Sequence, residues 1–134
     1  LTRGSNRNHI IRACLDSIAY QTNDLIKSMC ADSKTKVSCI KADGGASRNT
    51  ELMHFQSDIS NINVEASDNA EATALGAFFI AGLASGFYKD KNEINSLCLS
   101  YKTYEPQMSQ EKRNKLLKGW KTAVKASRIV DKGE

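Results

Sequence analysis

One short stretch of the 134-residue sequence combines the residue types of a ligand-binding turn. Residues 43–49 read Asp-Gly-Gly-Ala-Ser-Arg-Asn. Glycines let a ligand approach the backbone closely, and the unpaired N–H groups at the start of a helix favour a phosphate or a ribose phosphate. The amide of Asn49 can both donate and accept hydrogen bonds, which suits a base or a ribose edge. The stretch needs a strand before it and a helix after it to act in this way.

The sequence around this stretch predicts both elements. Residues 37–42 form a short β-branched and apolar run that stops at the Gly-Gly pair, as a strand before a tight turn does. A helix is predicted from about Ser47 or Arg48. Ligands of open α/β sheets bind beyond the carboxyl ends of strands, so the turn is predicted as a ligand-binding corner. The alternative is a plain turn, with Asp43 bonding backbone N–H groups and Asn49 in the first turn of the helix.

Helices and one further strand are predicted in the rest of the chain. A long helix spans about residues 9–30, with Asn8 as its N-cap, and residues 62–66 alternate as a half-buried strand. A helix over about 71–84 is apolar nearly all round, which is typical of a helix inside a large protein, and Gly86 is placed to end it. Its glycines, Gly76 and Gly82, indicate close packing against another element.

The last third of the chain is less regular. Residues 89–100 are predicted as a short helix with a loop, and residues 101–104 as extended. Ser109 is predicted to cap a final helix from residue 110 to about 128. The inner stripe of this helix is predicted to contain Leu116, Trp120, Ala123, Val124 and Ser127.

Only two strands are predicted with a clear pattern, which is too few for an independent sheet. The fold class is therefore α/β with an incomplete sheet and packed helices. The chain also begins Leu-Thr-Arg-Gly, without an initiator Met. Both observations predict that residues 1–134 form a single fragment of a longer domain.

The net charge of +4 is local to the end of the chain. Residues 110–134 hold eight Lys or Arg and three acids, whereas residues 1–109 hold eleven basic and twelve acidic residues. We therefore expect no nucleic-acid partner and interpret the basic end as a solvated face. No membrane-spanning stretch is predicted, since the apolar run over 72–84 is too short.

The cysteines and histidines form no metal-binding or catalytic pattern. Cys14, Cys30, Cys39 and Cys98 match no zinc-site spacing and are predicted as reduced thiols of a cytoplasmic protein. His9 and His54 are predicted to have structural or surface roles. The sequence thus predicts no metal site, and it predicts neither histidine as a catalytic base.

The chain resembles the glycerol kinases of the FGGY carbohydrate kinase family over nearly its whole length. The Asp-Gly-Gly-Ala turn is one matching motif, and the stretch Ser-Ile-Ala-Tyr-Gln-Thr at 17–22 favours glycerol kinases over the family's sugar kinases. The matching stretches occur in the family's order with no large insertion. They are residues 1–4, 9–13, 16–22, 43–46, 52–59, 72–77, 81–87 and 119–124.

The resemblance implies an actin-like ATPase (ribonuclease H-like) fold, of which this chain would be the last part of the C-terminal, nucleotide-binding domain. It implies that Gly45 and Asn49 contact the nucleotide, while Asp43, Gly44 and Ala46 shape the same turn. Glycerol kinases often have a second Asn after the first, whereas this sequence has Thr50, which would alter the local capping.

The resemblance also implies what the chain lacks. The full enzyme would use ATP and Mg²⁺ to phosphorylate glycerol, but the catalytic base, phosphate loop and glycerol contacts of the family lie upstream. We therefore expect no kinase activity from the 134 residues alone. A homodimer or tetramer is the assembly that the family implies. The alternatives are another FGGY kinase acting on a sugar or polyol, and a non-catalytic actin-like nucleotide-binding module.

Overall fold

The computed structural model describes residues 2–68, 71–97 and 100–130. Predictions that concern Leu1, Cys98 and the end of the 89–100 segment lie partly or wholly outside this range. The mixed order of helices and strands confirms the α/β class. The elements are α1 (Arg7–Ser33), β1 (Cys39–Ala42), a 3₁₀ turn (Gly45–Arg48), α2 (Thr50–Ser60), β2 (Asn63–Ser67), α3 (Ala72–Ala84), α4 (Lys91–Ser96), β3 (Tyr101–Tyr104) and α5 (Gln110–Val130).

A three-stranded sheet in the order β1-β2-β3 lies at the centre. Strands β1 and β2 are parallel, with Ile40 opposite Val64, and β3 is antiparallel to β2, with Tyr104 opposite Val64. The sheet therefore has one strand more than the two that the sequence clearly predicts. The extended segment 101–104 becomes this strand because it returns after α4 and pairs with the second edge of β2.

The hydrophobic core lies between α2 and one face of the sheet. Ile59 of α2 and Val64 of β2 are almost completely buried. The ring of Tyr20 in α1 packs edge-on against Phe55 of α2 and stacks on Trp120 of α5, with ring centroids 5.5 and 5.1 Å apart. Helices α1 and α5 therefore both cover α2. The other buried apolar residues are Ala19, Leu52, Met53, Ala66 and Tyr104.

Helix α1 begins two residues earlier than predicted. Asn6 caps it, because its side-chain oxygen accepts hydrogen bonds from the N–H groups of Asn8 and His9 at 3.0 and 3.2 Å. His9 returns the contact by accepting the N–H of Asn6 at Nδ1, at 3.2 Å. The prediction of Asn8 as N-cap is wrong, since only Asn6 has a partner three residues on that closes this reciprocal pair. The structural role predicted for His9 is confirmed.

Helix α3 has the predicted extent, but it is not buried as predicted. It ends at Ala84, and Gly86 follows with a φ of +75°, as the sequence predicts. Gly82 does pack closely, because a Cβ there would lie 2.5 Å from the ring of Tyr88. The side chains of Phe78 and Ile80, however, are 54% and 70% exposed. Among the described residues, no element packs over most of this apolar helix.

Helix α5 is capped by Ser109 as predicted, with the Lys112 N–H donating to Oγ at 3.3 Å. Its inward residues repeat every four positions, which confirms the half-buried Leu116, Trp120 and Val124. The prediction of Ala123 and Ser127 in this stripe is wrong, as both are exposed.

A polar contact that the sequence does not predict joins α5 to α2. The Arg113 guanidinium is buried and donates to the carbonyls of Asp58 and Met108 at 2.6 and 2.9 Å. The Asp58 carboxylate accepts the N–H groups of Gln107 and Met108 at 2.7 and 2.8 Å. We call this set of contacts the Asp58–Arg113 clasp. It fixes the segment before α5 against the end of α2.

Three cysteines and the second histidine lie near the surface. Cys14, Cys30 and Cys39 are free thiols, with Cys14 exposed. His54 is exposed and packs edge-on against Tyr104, with ring centroids 4.8 Å apart. Among the helices of the described ranges, none has the length and hydropathy to cross a membrane.

Candidate functional site

The predicted corner forms at the end of β1. The strand ends at Ala42, and Gly44 has a φ of +82°, which a residue with a Cβ adopts only under strain. Asp43 is exposed, and its carboxylate has no hydrogen bond or ion pair within the described part of the chain. The fold thus explains Gly44 by its backbone conformation. It gives Asp43 none of the turn hydrogen bonds that the plain-turn alternative requires.

The 3₁₀ turn after Gly44 holds the next residues in place. The Gly44 carbonyl accepts both the N–H and the hydroxyl of Ser47, at 3.2 and 2.8 Å, and Ser47 is buried. The N–H groups of Gly45 and Ala46 have no acceptor among the described residues. Two exposed donors therefore lie side by side on a fixed turn, which suits an oxygen atom of a ligand.

Helix α2 starts later than predicted because Asn49 is its N-cap. Asn49 has an extended backbone, and its side-chain oxygen accepts the Leu52 N–H at 3.1 Å. The predicted start at Ser47 or Arg48 is therefore wrong, and so is the alternative that puts Asn49 in the first turn. Asn49 itself supplies the cap, and Thr50 follows as the first helical residue. The NH₂ group of the Asn49 amide has no partner within the described ranges and can donate to a ligand.

Gly45 is a glycine that this fold does not require. Its φ is not positive, and a Cβ built on it would meet nothing within 4 Å. An alanine would therefore fit in the described structure without strain. Close approach of a group from outside these residues would explain the glycine.

A cavity of about 240 Å³ lies beside the corner, where β1 and β2 end and α3 passes over them. Of the five predicted site residues only Asp43 lines it, while Gly44, Gly45, Ala46 and Asn49 lie together on the exposed turn. The carboxyl ends of parallel strands lie at one edge of the sheet, so the sequence could have predicted that Ser67, at the end of β2, lies near Asp43. The pairing of β3 has no local sequence signal, so Tyr101 could not have been predicted as a lining residue. The cavity is lined by Lys41, Ala42, Asp43, Ser67, Leu75, Gly76, Phe79 and Tyr101.

The sheet face that leads to this cavity is polar. Lys41 and Glu65 lie opposite each other in the parallel register and form an ion pair of 3.9 Å. The Lys41 ammonium also lies over the ring of Tyr101, 4.9 Å from its centroid. Burial raises the pKa of the Cys39 thiol, and the neighbouring Glu65 carboxylate raises it further. Cys39 is therefore a neutral thiol near pH 7, and Lys41 already has two partners.

Across residues 2–68, 71–97 and 100–130, no three His, Cys, Asp or Glu side chains are placed to hold a metal ion. Magnesium is usually held by one or two carboxylates together with substrate phosphates. Asp43 contributes one exposed carboxylate to the corner.

The chain belongs to the FGGY family of carbohydrate kinases, because residues 1–85 match the model of that family's C-terminal domain. It is 56% identical over 124 residues to the glycerol kinase of Clostridium botulinum (strain Eklund 17B / Type B). The match covers 92% of this chain and 25% of that enzyme. The chain therefore spans about a quarter of the length of the relatives it matches.

Solved structures show the same fold. The Plasmodium falciparum glycerol kinase with ADP superposes with a TM-score of 0.83 at 33% identity, over 94% of this chain and 25% of that one. A ligand-bound xylulose kinase from Lactobacillus acidophilus superposes with a TM-score of 0.74 at 22% identity, over 99% of this chain and 26% of that one. The actin-like fold of these kinases is thus confirmed for the chain.

Proposed function

We propose that the chain forms part of the nucleotide site of an ATP-dependent glycerol kinase, with Gly45 and Asn49 touching the nucleotide. The observation that carries the proposal is Gly45, a glycine that neither its φ nor any neighbour within 4 Å requires. It lies in the Asp-Gly-Gly-Ala turn of a chain that is 56% identical to a glycerol kinase. The related Plasmodium enzyme was solved with ADP.

The corner offers complementary donors to such a ligand. The free N–H groups of Gly45 and Ala46 and the free NH₂ of Asn49 point to acceptor atoms such as ribose or phosphate oxygens. Gly44 shapes the turn through its positive φ, and Asp43 places a carboxylate at its edge. In this proposal the turn positions the adenosine side of ATP, while Mg²⁺ is held by the phosphates and by residues outside this chain.

The chain is proposed as a contributor to catalysis and not as the catalyst. Phosphoryl transfer needs a base for the attacking hydroxyl and positive charge around the transferred group. The family places the base and the glycerol contacts upstream of the part that this chain matches. The isolated 134 residues should therefore bind nucleotide weakly and show no turnover. We further propose a cytoplasmic enzyme that assembles as a homodimer or tetramer.

Another FGGY kinase is the second candidate function. The xylulose kinase neighbour, at 22% identity, supports only a common fold. Glycerol kinases match the sequence at 50–56% identity, which favours glycerol as the substrate. The longest natural polypeptide that contains these residues, assayed with glycerol, xylulose and gluconate, separates the two candidates through its kcat/KM values.

The decisive variant separates the two roles of Asn49. Asn49→Ser keeps an oxygen that can cap α2 but removes the NH₂ donor, whereas Asn49→Ala removes both. In the longest natural polypeptide, we expect both variants to raise the Kd for ATP by about tenfold, the loss of one hydrogen bond in a site. Only Asn49→Ala should lose stability, by about 1 kcal/mol.

Isothermal titration with ATP gives the Kd values, and urea unfolding gives the stabilities. An Asn49→Ser variant that binds ATP as tightly as the parent would leave Asn49 with capping as its sole role. A parent protein that does not bind ATP would contradict the proposed function itself.

A further inference from the structure

A groove between α1 and α5 concentrates positive charge on one side of the molecule. Two adjoining cavities of about 370 and 720 Å³ form it, and both are lined by Lys121 and Lys125. None of its residues lines the cavity beside the corner. We call it the α1–α5 groove, and its cations are Lys27 of α1 and Lys118, Lys121, Lys125 and Arg128 of α5.

The spacing of the α5 cations puts them in one row. Residues 118, 121, 125 and 128 follow one another in steps of three or four, which keeps their side chains on one face of the helix. At about 1.5 Å per residue the row is about 15 Å long. Leu117, Trp120 and Val124 are half-buried and form the floor of the groove. The groove thus combines an apolar floor with a positively charged rim.

The charges of the groove are not neutralised within the described residues. None of its cations forms an ion pair or a side-chain hydrogen bond there. Asp24 is the one acid among the described lining residues, and its carboxylate accepts the Nε1–H of Trp120 at 2.7 Å. Like charges on neighbouring turns of a helix repel each other, so an anionic group bound in the groove would relieve this repulsion.

The groove differs from the apolar face of α3 in what can cover it. An apolar face can be buried by the rest of a longer polypeptide, whereas Lys and Arg are almost never fully buried unless they are paired. An element that covered the groove would have to bring carboxylates to its cations. We therefore expect the groove to stay accessible in the longer polypeptide.

The shape and chemistry of the groove favour an acidic helix as its ligand. An amphipathic helix binds a groove through apolar residues at positions i, i+3, i+4 and i+7, and the recessed floor at Trp120 and Val124 suits such residues. Acidic residues beside them would face the row of cations. A flat anionic membrane would meet the cations but not the floor, and a nucleic-acid backbone has no apolar face to place there.

We propose that the α1–α5 groove is a docking surface for an acidic amphipathic helix of a partner protein. The basic end of the chain is then a binding surface and not only the solvated face that its composition indicates. This inference goes beyond the proposed function and does not depend on nucleotide binding, because the groove shares no residue with the corner from Asp43 to Asn49.

Synthetic peptides serve as the probe of this surface. The acidic peptide is a helix of about 15 residues, roughly four turns, with Leu at positions i, i+3, i+4 and i+7 and Glu on both sides of the Leu stripe. One control peptide has the same composition in scrambled order, and a second has Lys in place of every Glu. Fluorescence anisotropy with the longest natural polypeptide that contains the chain gives the Kd of each peptide.

Charge reversal in the groove is compared with charge reversal elsewhere on α5. Lys121→Glu combined with Lys125→Glu changes the groove, whereas Lys112→Glu combined with Lys115→Glu makes the same change in net charge outside it. We expect the groove variant to raise the Kd of the acidic peptide by at least about tenfold, and the control variant by less than about threefold.

The peptide that carries Lys separates lost recognition from a damaged fold. It should bind the groove variant more tightly than it binds the parent, because the charges of both partners are then exchanged. The melting temperature and the Kd for ATP of the groove variant should stay near the parent values, since none of its substitutions touches the corner.

Four results would overturn the proposal. A parent that does not bind the acidic peptide has no such docking surface. Equal binding of the scrambled peptide, or equal losses in the two double variants, would mean that only net charge is recognised. Vesicles of phosphatidylcholine and phosphatidylserine, in a ratio of about 3 to 1, that bind through Lys121 and Lys125 more tightly than the peptide does would assign the surface to a membrane. A groove variant that loses melting temperature without any peptide effect would show that the rest of the polypeptide covers the groove.

Discussion

Helices α2 and α3 each follow one of two parallel strands, yet only α2 is covered by the described residues. Six of the eleven residues of α2 are buried, and α1, α5 and the sheet surround it. Helix α3 is more apolar, but Phe78 and Ile80 on it are mostly exposed. The burial of these two helices therefore does not follow their apolarity. The burial of each helix depends on whether the elements that cover it belong to the same 134 residues.

The difference fits a chain that spans about a quarter of its relatives' length. A monomeric protein rarely leaves a large contiguous apolar patch in water. Phe78, Ile80 and Phe87 are all more than half exposed and lie on or just after α3. We expect the polypeptide that the relatives carry beyond the matched quarter to cover this helix, while α2 keeps the same surroundings with or without it.

The largest effect should come from a matched pair of isoleucines. Ile59 of α2 is 1% exposed and Ile80 of α3 is 70% exposed. In the 134-residue chain, Ile59→Ala should lower the free energy of unfolding by about 2–5 kcal/mol, because it leaves a cavity in the core. Ile80→Ala should change it by less than about 0.5 kcal/mol, as an exposed substitution does. Urea unfolding measures both.

The same pair in the longest natural polypeptide sharpens the comparison. There Ile80→Ala should cost more than about 1 kcal/mol, because the side chain is expected to be buried, while the cost of Ile59→Ala stays the same. An Ile80→Ala variant with no effect in either protein would mean that α3 remains exposed, and the contrast between the two helices would then be intrinsic to the fold.

A smaller effect is expected at the Asp58–Arg113 clasp, which closes α2 against α5. Asp58→Ala removes the acceptor for the N–H groups of Gln107 and Met108. The expected loss is about 2–3 kcal/mol in urea unfolding, since hydrogen bonds to charged groups contribute about 1.5–3 kcal/mol each and this carboxylate is only half-buried.

Asp58→Asn is the control, because its carbonyl oxygen can still accept both hydrogen bonds. It should lose about 1 kcal/mol or less, the difference between charged and neutral acceptors. Equal losses in the two variants would show that the negative charge, and not the acceptor geometry, holds the segment before α5.

The clasp also illustrates where sequence reasoning stops. Asp58 lies in the last turn of α2, where the helix dipole disfavours a negative charge, and Arg113 reads as an exposed basic residue of an amphipathic helix. Their contacts join residues about fifty positions apart, which periodicity does not encode. For the same reason the pairing of β3, and with it the contribution of Tyr101 to the cavity, could not be predicted.

Local signals were sufficient for much of the rest. The periodicity of α1, α3 and α5 predicted their extents to within a few residues, and the run before Asp43 predicted β1 and the turn. The start of α2 was misplaced because the Ser47 hydroxyl bonds the Gly44 carbonyl and forms a 3₁₀ turn first. The site residues Gly45 and Asn49 came from the resemblance. The structure adds that the N–H of Gly45 and the NH₂ of Asn49 have no hydrogen-bond partner within the described residues.

The smallest effect on stability is expected at high pH, where Tyr20, whose ring packs against α2, loses its proton. Burial raises the pKa of the Tyr20 hydroxyl above its ordinary value of 10.0, Asp16 raises it further, and Arg12 opposes both. The unfolded chain therefore releases this proton at a lower pH than the folded one. The stability that depends on neutral Tyr20 is fully present below pH 10.0 and is lost as the pH rises through the folded pKa.

Tyr20→Phe isolates this term, because it keeps the ring that contacts Phe55 and Trp120 and removes the ionisable hydroxyl. The two proteins should have the same pH dependence of stability from about pH 7 to about pH 9, where tyrosine is neutral. Above pH 10.0 the parent should lose stability faster than the variant. Urea unfolding at each pH measures the difference. Parallel curves throughout would mean that Tyr20 ionises as easily in the folded chain as in the unfolded one, and that α1 covers α2 less tightly than its ring contacts indicate.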